Sequence, residues 1–373
     1  MKVRLHKLFD YLLETTAAEP PECFVGFSLS TPPKLSEYLA DLDPEMSLDW
    51  NGQSFFGLPA LRARVIEQAG LQGLCSPDDV LITAGAAEAN YLALRQILQA
   101  GDDVVTETPG WPQVGVIARA IGARLIEVPR QEANGWRLDP EEVAGAVTAR
   151  TRLIFLTNPN NPTGRLIPPE DLARLAAIAE SAGAFLLVDE VYAGLEWAAR
   201  RPPAIAGLTA RGITTGSVSK ALGLQGLRTG WMISSDRSLL QDAMILRENA
   251  SEIMNILGEH IAEIALRPAR LAASLVRARA EAETSLTELD RFIAAEPRLS
   301  WHRPEAGLIG LARLEGEPAE PFARRLLAAP HRTFVLPGSA YGQPHHLRLG
   351  VGGGRAARLN EGLLRLKAAL AGR

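Results

Sequence analysis

The chain has 373 residues, of which 47% are hydrophobic and 22% charged, with a formal net charge of −4 at pH 7. This length exceeds the roughly 250–300 residues at which a single hydrophobic core stops growing, so we expect two domains. The composition excludes a disordered or membrane-embedded chain. The slight negative charge disfavours nucleic acid and anionic lipid as partners.

The N-terminus and the two cysteines favour a cytoplasmic protein. Charged residues interrupt the leucines of MKVRLHKLFDYLLETT, which predicts an amphipathic helix and no signal peptide. No window offers the ~20 apolar residues of a membrane span. Cys23 and Cys75 lie far apart and outside any CxxC or Cys/His pattern, so we predict neither a disulfide nor a metal site.

Short β-branched runs alternate with helical stretches through the middle of the chain, which predicts an α/β fold with a mainly parallel sheet. The predicted strands are Val80–Thr83, Asp103–Glu107, Ala123–Val128, Arg152–Thr157, Phe185–Asp189, Ile213–Ser217 and Gly230–Ser234. The predicted helices between them include Glu88–Gln99, Trp111–Ile121 and Pro169–Ala182.

The pattern changes at about Leu239, where helical sequence rich in Arg, Glu and Ala begins. A mixed segment follows, with a strand at HLRLGVG and a final helix, which predicts a smaller α+β domain. We therefore place a large domain at residues 51–250 and a small domain at residues 251–373. Residues 1–50 are expected to pack with the small domain.

Several predicted strands end in polar or glycine-rich turns: TAGAAEAN, ETPGWP, NPNNPTG, DEVY and SVSK. In open parallel sheets, ligands bind at the carboxyl ends of the strands. These turns are therefore expected to converge on one site.

Lys220, in SVSKALGLQGLRTGW, is one of only five lysines among 39 basic residues. A lysine becomes a nucleophile when desolvation or a nearby cation lowers its pKa, and Arg228 is a candidate for that cation. The alternative is a solvated surface lysine.

Asp189 and Tyr192 follow the apolar strand in AFLLVDEVY. A buried carboxylate requires a cation or hydrogen-bond donor, and a protonated pyridine nitrogen is one such partner. The alternative is an aspartate that caps the next turn. In NPNNPTG, two prolines and a glycine fix the backbone, so that one of Asn158, Asn160 and Asn161 can face inward.

Two further motifs predict anion-binding groups. Gly85, Ala86 and Ala87 lie between a strand and a helix, where free backbone N–H groups can bind phosphate, although such turns are common. Arg348 is suited to bidentate binding of a carboxylate, with a structural ion pair as the alternative. His345 and His346 point to opposite faces of their strand and lack a nearby acidic residue in the sequence, so we reject a metal there.

Taken in order, NPNNPTG, DEVY and SVSKALGLQGLRTGW resemble the fold-type I aminotransferases of class I and II, from about Phe55 to the C-terminus. The resemblance implies a large domain with a mainly parallel seven-stranded sheet, a smaller α+β domain, the cofactor pyridoxal 5'-phosphate (PLP) and a homodimer. It also implies an amino acid and a 2-oxo acid as substrates.

The resemblance assigns roles to individual residues. Lys220 matches the Schiff-base lysine that moves a proton between the substrate α-carbon and the cofactor, and Asp189 matches the partner of the pyridine nitrogen. Tyr192 and Asn161 match the pair that binds the ring oxygen, and Trp111 the aromatic ring stacked on the cofactor. The remaining matches bind the phosphate or the substrate carboxylate: Gly85, Ala86, Ala87, Ser217, Ser219 and Arg228 for the phosphate, and Arg348 with Asn161 for the carboxylate.

One departure leaves the reaction open. Many members carry a tyrosine five positions before Gly57 that reaches the phosphate of the neighbouring subunit, and this chain has Gly52 there. That change and LPGSAYGQPHHLRLGVGGG are similar to capreomycidine synthases, which use the fold for β-elimination and ring closure. We expect a ping-pong aminotransferase, with a PLP-dependent lyase or cyclase as the alternative. A ligand-sensing regulator is disfavoured, since the similarity begins too early for a preceding winged helix.

Overall fold

The computed structural model describes residues 11, 13, 20–49, 54–197, 200–351 and 358–372. Its strands are β1 (Cys23–Phe24), β2 (Val80–Thr83), β3 (Asp103–Thr108), β4 (Arg124–Pro129), β5 (Thr151–Thr157), β6 (Phe185–Asp189), β7 (Gly212–Ser217), β8 (Gly230–Ile233), β9 (Leu299–Trp301), β10 (Ile309–Leu314), β11 (Thr333–Phe334), β12 (Leu336–Pro337) and β13 (His346–Gly350). Its α-helices are α1 (Pro59–Ala69), α2 (Ala86–Ile97), α3 (Gln113–Ile121), α4 (Pro140–Ala146), α5 (Pro169–Ala182), α6 (Arg237–Glu248), α7 (Ile256–Ala265), α8 (Pro268–Ala295), α9 (Ala319–Leu327) and α10 (Leu359–Leu370).

The large sheet has seven strands in the order β2-β8-β7-β6-β5-β3-β4. All neighbours are parallel except β8, which is antiparallel to both β2 and β7. The predicted α/β fold with a mainly parallel seven-stranded sheet is confirmed. The predicted strands coincide with β2–β8 within two residues. In all of them except the edge strand β4, the apolar runs are buried between helices on both faces.

The two faces of this sheet have separate cores. Alternate residues of β5 show the division, since Phe155 packs with residues of α2, α3 and α6, while Ile154 packs with residues of α4 and α5. Side chains of successive strand residues point to opposite faces, so a continuous apolar run fills both layers. The sheet is therefore packed on both faces, and this packing holds the side chains at its carboxyl edge in place.

Strand β1 and the strands that follow α8 form a second, smaller group. Strands β12-β13-β10-β9 form an antiparallel sheet, and β1 pairs in parallel with β11. The α8 residues Ala278, Ala282, Leu286 and Leu289 recur at helical spacing and pack in this core. The N-terminal segment thus joins the smaller group of strands through β1.

The domain limits at residues 50 and 250 stay a prediction. Helix α7 packs in the same core as α1 and strands β2 and β8 of the large sheet. We therefore propose that the division lies within α8. Among the described residues, no helix combines the length and the apolar composition needed to cross a membrane.

Gly350, at the end of β13, allows the N-terminal segment to approach this sheet closely. Its N–H donates to the Val25 carbonyl at 2.8 Å, and a Cβ at this position would lie 1.9 Å from the Phe27 carbonyl oxygen. Both contacts involve backbone atoms, which cannot rotate away. The close packing of the segment after β1 against β13 therefore requires a glycine at position 350.

We expect Gly350→Ala to lower the free energy of unfolding by about 2–3 kcal/mol, because the added methyl group displaces backbone. Urea-induced unfolding measures the change. Gly145→Ala in α4 is the control, since a Cβ there meets nothing within 4 Å and helix propensity predicts a gain of about 0.5–1 kcal/mol. Equal unfolding midpoints for Gly350→Ala and the unsubstituted protein would contradict this packing.

Candidate active site

A cavity of about 290 Å³ lies at the carboxyl ends of β5, β6 and β7, between the large sheet and the smaller group of strands. The strand register places Thr157, Asp189 and Thr215 side by side across this edge. The predicted site residues that line the cavity are Ala86, Ala87, Trp111, Asn161, Asp189, Tyr192, Ser217, Ser219, Lys220, Arg228 and Arg348. Gly85 does not line the cavity itself but lies against the guanidinium of Arg228, which does. The turns after the strands therefore converge on one site, as predicted.

Lys220 projects into this cavity from the turn after β7. Its Nζ donates to the Ser28 carbonyl at 3.3 Å and to the Ser28 Oγ at 3.2 Å, and lies 5.7 Å from the centre of the Tyr192 ring. Desolvation is the main cause that lowers the pKa of Lys220 to about 8; Arg348 and Arg228 act in the same direction, and Asp189 opposes them. The alternative of a solvated surface lysine is therefore wrong.

Asp189 ends β6 with a buried carboxylate. Its Oδ2 accepts from Asn90 Nδ2 at 2.7 Å, and its Oδ1 accepts from the Val191 N–H at 3.0 Å. Burial raises the pKa of Asp189, while these two donors and Lys220 act in the opposite direction. Asp189 thus caps the following turn, as the alternative supposed, and also presents negative charge to the cavity.

The start of α2 forms one end of the cavity. Gly85 has a φ of +90°, and a Cβ there would lie 2.6 Å from Arg228 Nη2, so the site requires glycine. Arg228 itself has a left-handed backbone with a φ of +52°, and its guanidinium donates to the carbonyls of Ala84 and Gln225 at 3.0 and 3.3 Å. Together with Ser217 and Ser219, these groups form a positively polarised end wall.

Within NPNNPTG, two asparagines hold the turn and the third faces the cavity. Asn158 Oδ1 accepts from the Ile167 N–H at 2.9 Å, and Asn160 Oδ1 accepts from the Thr163 hydroxyl at 2.7 Å. Asn161 lines the cavity, where its Oδ1 accepts from Arg348. The rigid turn therefore presents one amide inward.

Arg348 enters the cavity from β13. Its Nη1 donates to Asn161 Oδ1 at 3.3 Å and to the Tyr341 hydroxyl at 2.8 Å, and its Nη2 donates to the Gly26 carbonyl at 3.0 Å. Its Nε has no partner among the described residues. No salt bridge of Arg348 occurs in the described part of the chain, so the alternative of a structural ion pair finds no support there.

His345 and His346 lie outside this cavity. The structure places Glu132 Oε1 3.1 Å from His346 Nε2, an acidic neighbour that the sequence did not reveal. The expectation that no acidic residue lies near these histidines is therefore wrong. Among the described residues, no three His, Cys, Asp or Glu side chains are grouped as metal ligands would be.

Four residues that contact the predicted site were missed in the sequence. Ser28, Asn90, Gln113 and Tyr341 contact Lys220, Asp189, Trp111 and Arg348, respectively. Asn90 could have been identified in the sequence, because it is a polar residue within the apolar face of α2. Gly52, together with Trp50 and Asn51, lies outside the described residues, so the prediction about the missing tyrosine stays a prediction.

Comparison with known proteins identifies relatives of this chain. The family model "aminotransferase class I and II" matches residues 46–366. Arginine–pyruvate transaminase AruH of Pseudomonas aeruginosa is 30% identical over 79% of this chain and 76% of its own, and capreomycidine synthase of Streptomyces vinaceus is 28% identical over 73% and 69%. The crystal structure of a PLP-dependent aminotransferase from Streptococcus suis superposes with a TM-score of 0.89 at 27% identity, covering 100% of this chain and 98% of the other.

The lowered pKa of Lys220 is directly measurable. In the cofactor-free protein, we expect Lys220 to react with an amine-reactive reagent with a midpoint near pH 8, because only the unprotonated amine reacts. Arg348→Met removes a positive charge and is expected to move the midpoint to higher pH. Peptide mass spectrometry measures the labelling, with exposed Lys367 as the internal reference for the reagent. A midpoint that Arg348→Met leaves unchanged would show that the two groups are not coupled.

Proposed function

This chain belongs to the aminotransferase class I and II family, and we propose that it transfers the α-amino group of an amino acid to a 2-oxo acid. It is a PLP-dependent enzyme. The observation that carries the proposal is the convergence of Lys220, Asp189 and Arg348 in one cavity. These side chains offer an amine of lowered pKa, a buried negative charge and a cation suited to a carboxylate.

The donors at the end wall fit the phosphate of PLP. The N-terminus of α2 directs backbone N–H groups and a positive partial charge into the cavity. Gly85 leaves room for the guanidinium of Arg228, and the hydroxyls of Ser217 and Ser219 line the same wall. We propose that these groups, with Ala86 and Ala87, bind the phosphate.

The cavity walls away from the phosphate-binding end fit the ring of the cofactor. When bound, PLP supplies an electron sink for negative charge that develops at the substrate α-carbon. The buried Asp189 carboxylate would be stabilised by a protonated pyridine nitrogen. Burial raises the pKa of Tyr192, so its hydroxyl stays protonated and can donate, with Asn161, to the ring oxygen. Trp111 offers an aromatic face.

Lys220 is placed to hold the cofactor covalently and to carry protons. With a pKa of about 8, roughly a tenth of its amine is unprotonated at pH 7, and that form can accept a proton from the substrate α-carbon. Ser28 restrains Nζ through two hydrogen bonds, which limits the positions that the flexible side chain samples. We propose that Nζ takes this proton and returns it during amino transfer.

Arg348 is placed to bind the substrate α-carboxylate. Its Nη1 donates to Tyr341 and Asn161 and its Nη2 to Gly26, which leaves one Nη2 hydrogen and the Nε hydrogen without a partner among the described residues. Such a guanidinium can bind a carboxylate through two parallel hydrogen bonds. This contact would fix the amino acid with its α-carbon near Lys220, because both residues line the same cavity.

Elimination or cyclisation is a second candidate reaction. The similarity to capreomycidine synthase and the glycine at position 52 favour it. All the contacts proposed above serve it equally, since removal of the α-proton begins both reactions. The fate of the substrate after that step distinguishes them.

We expect Lys220→Ala to lower the rate of amino transfer by roughly 10²–10⁴-fold, because the proton carrier is removed. Product 2-oxo acids are measured with L-arginine or L-aspartate as donor and pyruvate as acceptor. Lys367→Ala, at an exposed position in α10, is the matched control and is expected to match the unsubstituted protein.

A single turnover without acceptor separates the two reactions. An aminotransferase releases one equivalent of 2-oxo acid per site and then stops, because the amino group stays on the enzyme. Continued release of a β-leaving group without any acceptor would instead establish the lyase or cyclase. Full activity of Lys220→Ala would refute both.

We also propose a homodimer that works in amino-acid metabolism in the cytoplasm. Exposed apolar side chains support an interface, since Leu39 and Leu48 are 56% and 73% exposed. Cys23 and Cys75 are both unpaired, as expected for a reducing compartment.

Light scattering tests the dimer. The unsubstituted protein is expected to have twice the mass of the chain, and Leu39→Glu with Leu48→Glu to shift the population towards monomer, because buried charge opposes association. Leu364→Glu, at a 69% exposed position of α10, is the control. A fully active monomer would contradict the proposal.

A further inference from the structure

A continuous chain of side-chain hydrogen bonds connects two walls of the cavity. Trp111 Nε1 and Asn90 Nδ2 both donate to Gln113 Oε1, at 3.2 and 3.3 Å. Asn90 Nδ2 also donates to Asp189 Oδ2 at 2.7 Å, and Thr215 Oγ1 donates to Asn90 Oδ1 at 2.7 Å. The chain thus runs from an indole on one wall to a carboxylate on the other.

The direction of every bond in this chain is determined by chemistry. An indole N–H only donates and a backbone carbonyl only accepts. Gln113 lies between the Trp111 indole and the Ala87 carbonyl, to which its Nε2 donates at 2.7 Å. Its Oε1 must therefore face Asn90, which must then present its Nδ2.

Asn90 has no spare hydrogen-bond donor in this arrangement. Its two Nδ2 hydrogens go to Asp189 and Gln113, and its Oδ1 accepts from Thr215. A flipped amide would direct Oδ1 at the Asp189 carboxylate, where two acceptors repel each other. Because Asn90 is fully buried, the loss of a partner is costly, and the hydrogen-bond network keeps one arrangement.

We propose that Asn90 and Gln113 are positioning residues that hold the Asp189 carboxylate and the Trp111 indole in one fixed relation. The proposal rests on the function proposed above, in which Asp189 meets the pyridine nitrogen and Trp111 covers the ring. Asn90 acts on Asp189 directly, and Gln113 acts by fixing both the indole and the orientation of the Asn90 amide. Neither residue needs to touch the substrate.

The direct test is Asn90→Leu, which keeps the side-chain size and removes the amide. We expect the dissociation constant for PLP to rise roughly tenfold and kcat to fall by a similar factor, while KM for the amino donor changes little. The acid limb of the kcat profile is expected to move to higher pH. The reason is that a carboxylate that loses a donor is protonated more easily.

Gln113→Met is the second variant, at a partly exposed position where folding is less at risk. It is expected to shift PLP affinity and the pH profile in the same direction by a smaller factor. The double variant is expected to lose less than the product of the two single losses, because residues of one hydrogen-bond network do not contribute independently. Additive effects of the two substitutions would overturn the proposal.

Thr106→Val is the matched control. Thr106 is buried in β3 of the same sheet, donates to the Phe155 carbonyl at 2.8 Å and does not line the cavity. It is expected to lower the urea midpoint while leaving PLP affinity and the pH profile unchanged. If Asn90→Leu and Gln113→Met alter these two readouts no more than Thr106→Val does, the positioning role is wrong. Failure of the unsubstituted protein to bind PLP would instead refute the proposed function itself.

Discussion

The burial of the Asp189 carboxylate is the constraint on which the rest of the cavity depends. A charge at the end of an apolar strand is costly unless donors or cations surround it. Here the Asn90 amide, the Val191 N–H and the amine of Lys220 oppose the rise in its pKa that burial causes. The sheet makes this arrangement possible, because neighbouring parallel strands end at the same edge and bring Thr157, Asp189 and Thr215 into register.

The two parts of the structure contribute opposite halves of the site. The large sheet supplies Asp189 and Lys220, whereas Arg348 comes from β13 and Ser28 from the segment after β1. The contact between Lys220 and Ser28 and that between Asn161 and Arg348 both cross this boundary. The packing that Gly350 permits is therefore also a condition for the geometry of the amine.

The sequence predicted the sheet and most of the charged residues of the cavity, but not the polar partners that hold them, such as Asn90 and Ser28. Strand ends and motif strings identify Asp189 and Lys220, because an acidic or basic residue after an apolar strand is locally visible. The partners of these residues are not local, since Asn90 lies 99 residues from Asp189 and Ser28 lies 192 residues from Lys220. An asparagine in a helix or a serine in a loop can serve many purposes. Only the tertiary packing, in which α2 lies against β6 and β7, shows that Asn90 binds Asp189. Glu132 at His346 was missed for the same reason.

The charges in the cavity also explain how the amine of Lys220 can change its proton affinity during a reaction. Arg348 lowers the pKa of Lys220, because two cations in one poorly solvated cavity repel each other. A substrate carboxylate bound to Arg348 would cancel much of that repulsion, and the amine would then bind a proton more tightly. The amine is thus most easily kept neutral in the empty cavity and becomes the stronger base once an amino acid is bound. Asp189, which favours the protonated amine, stays in place throughout because its own donors are fixed in α2 and the backbone after β6. Arg348 and Lys220, the residues proposed to bind the carboxylate and to carry the proton, are therefore electrostatically linked.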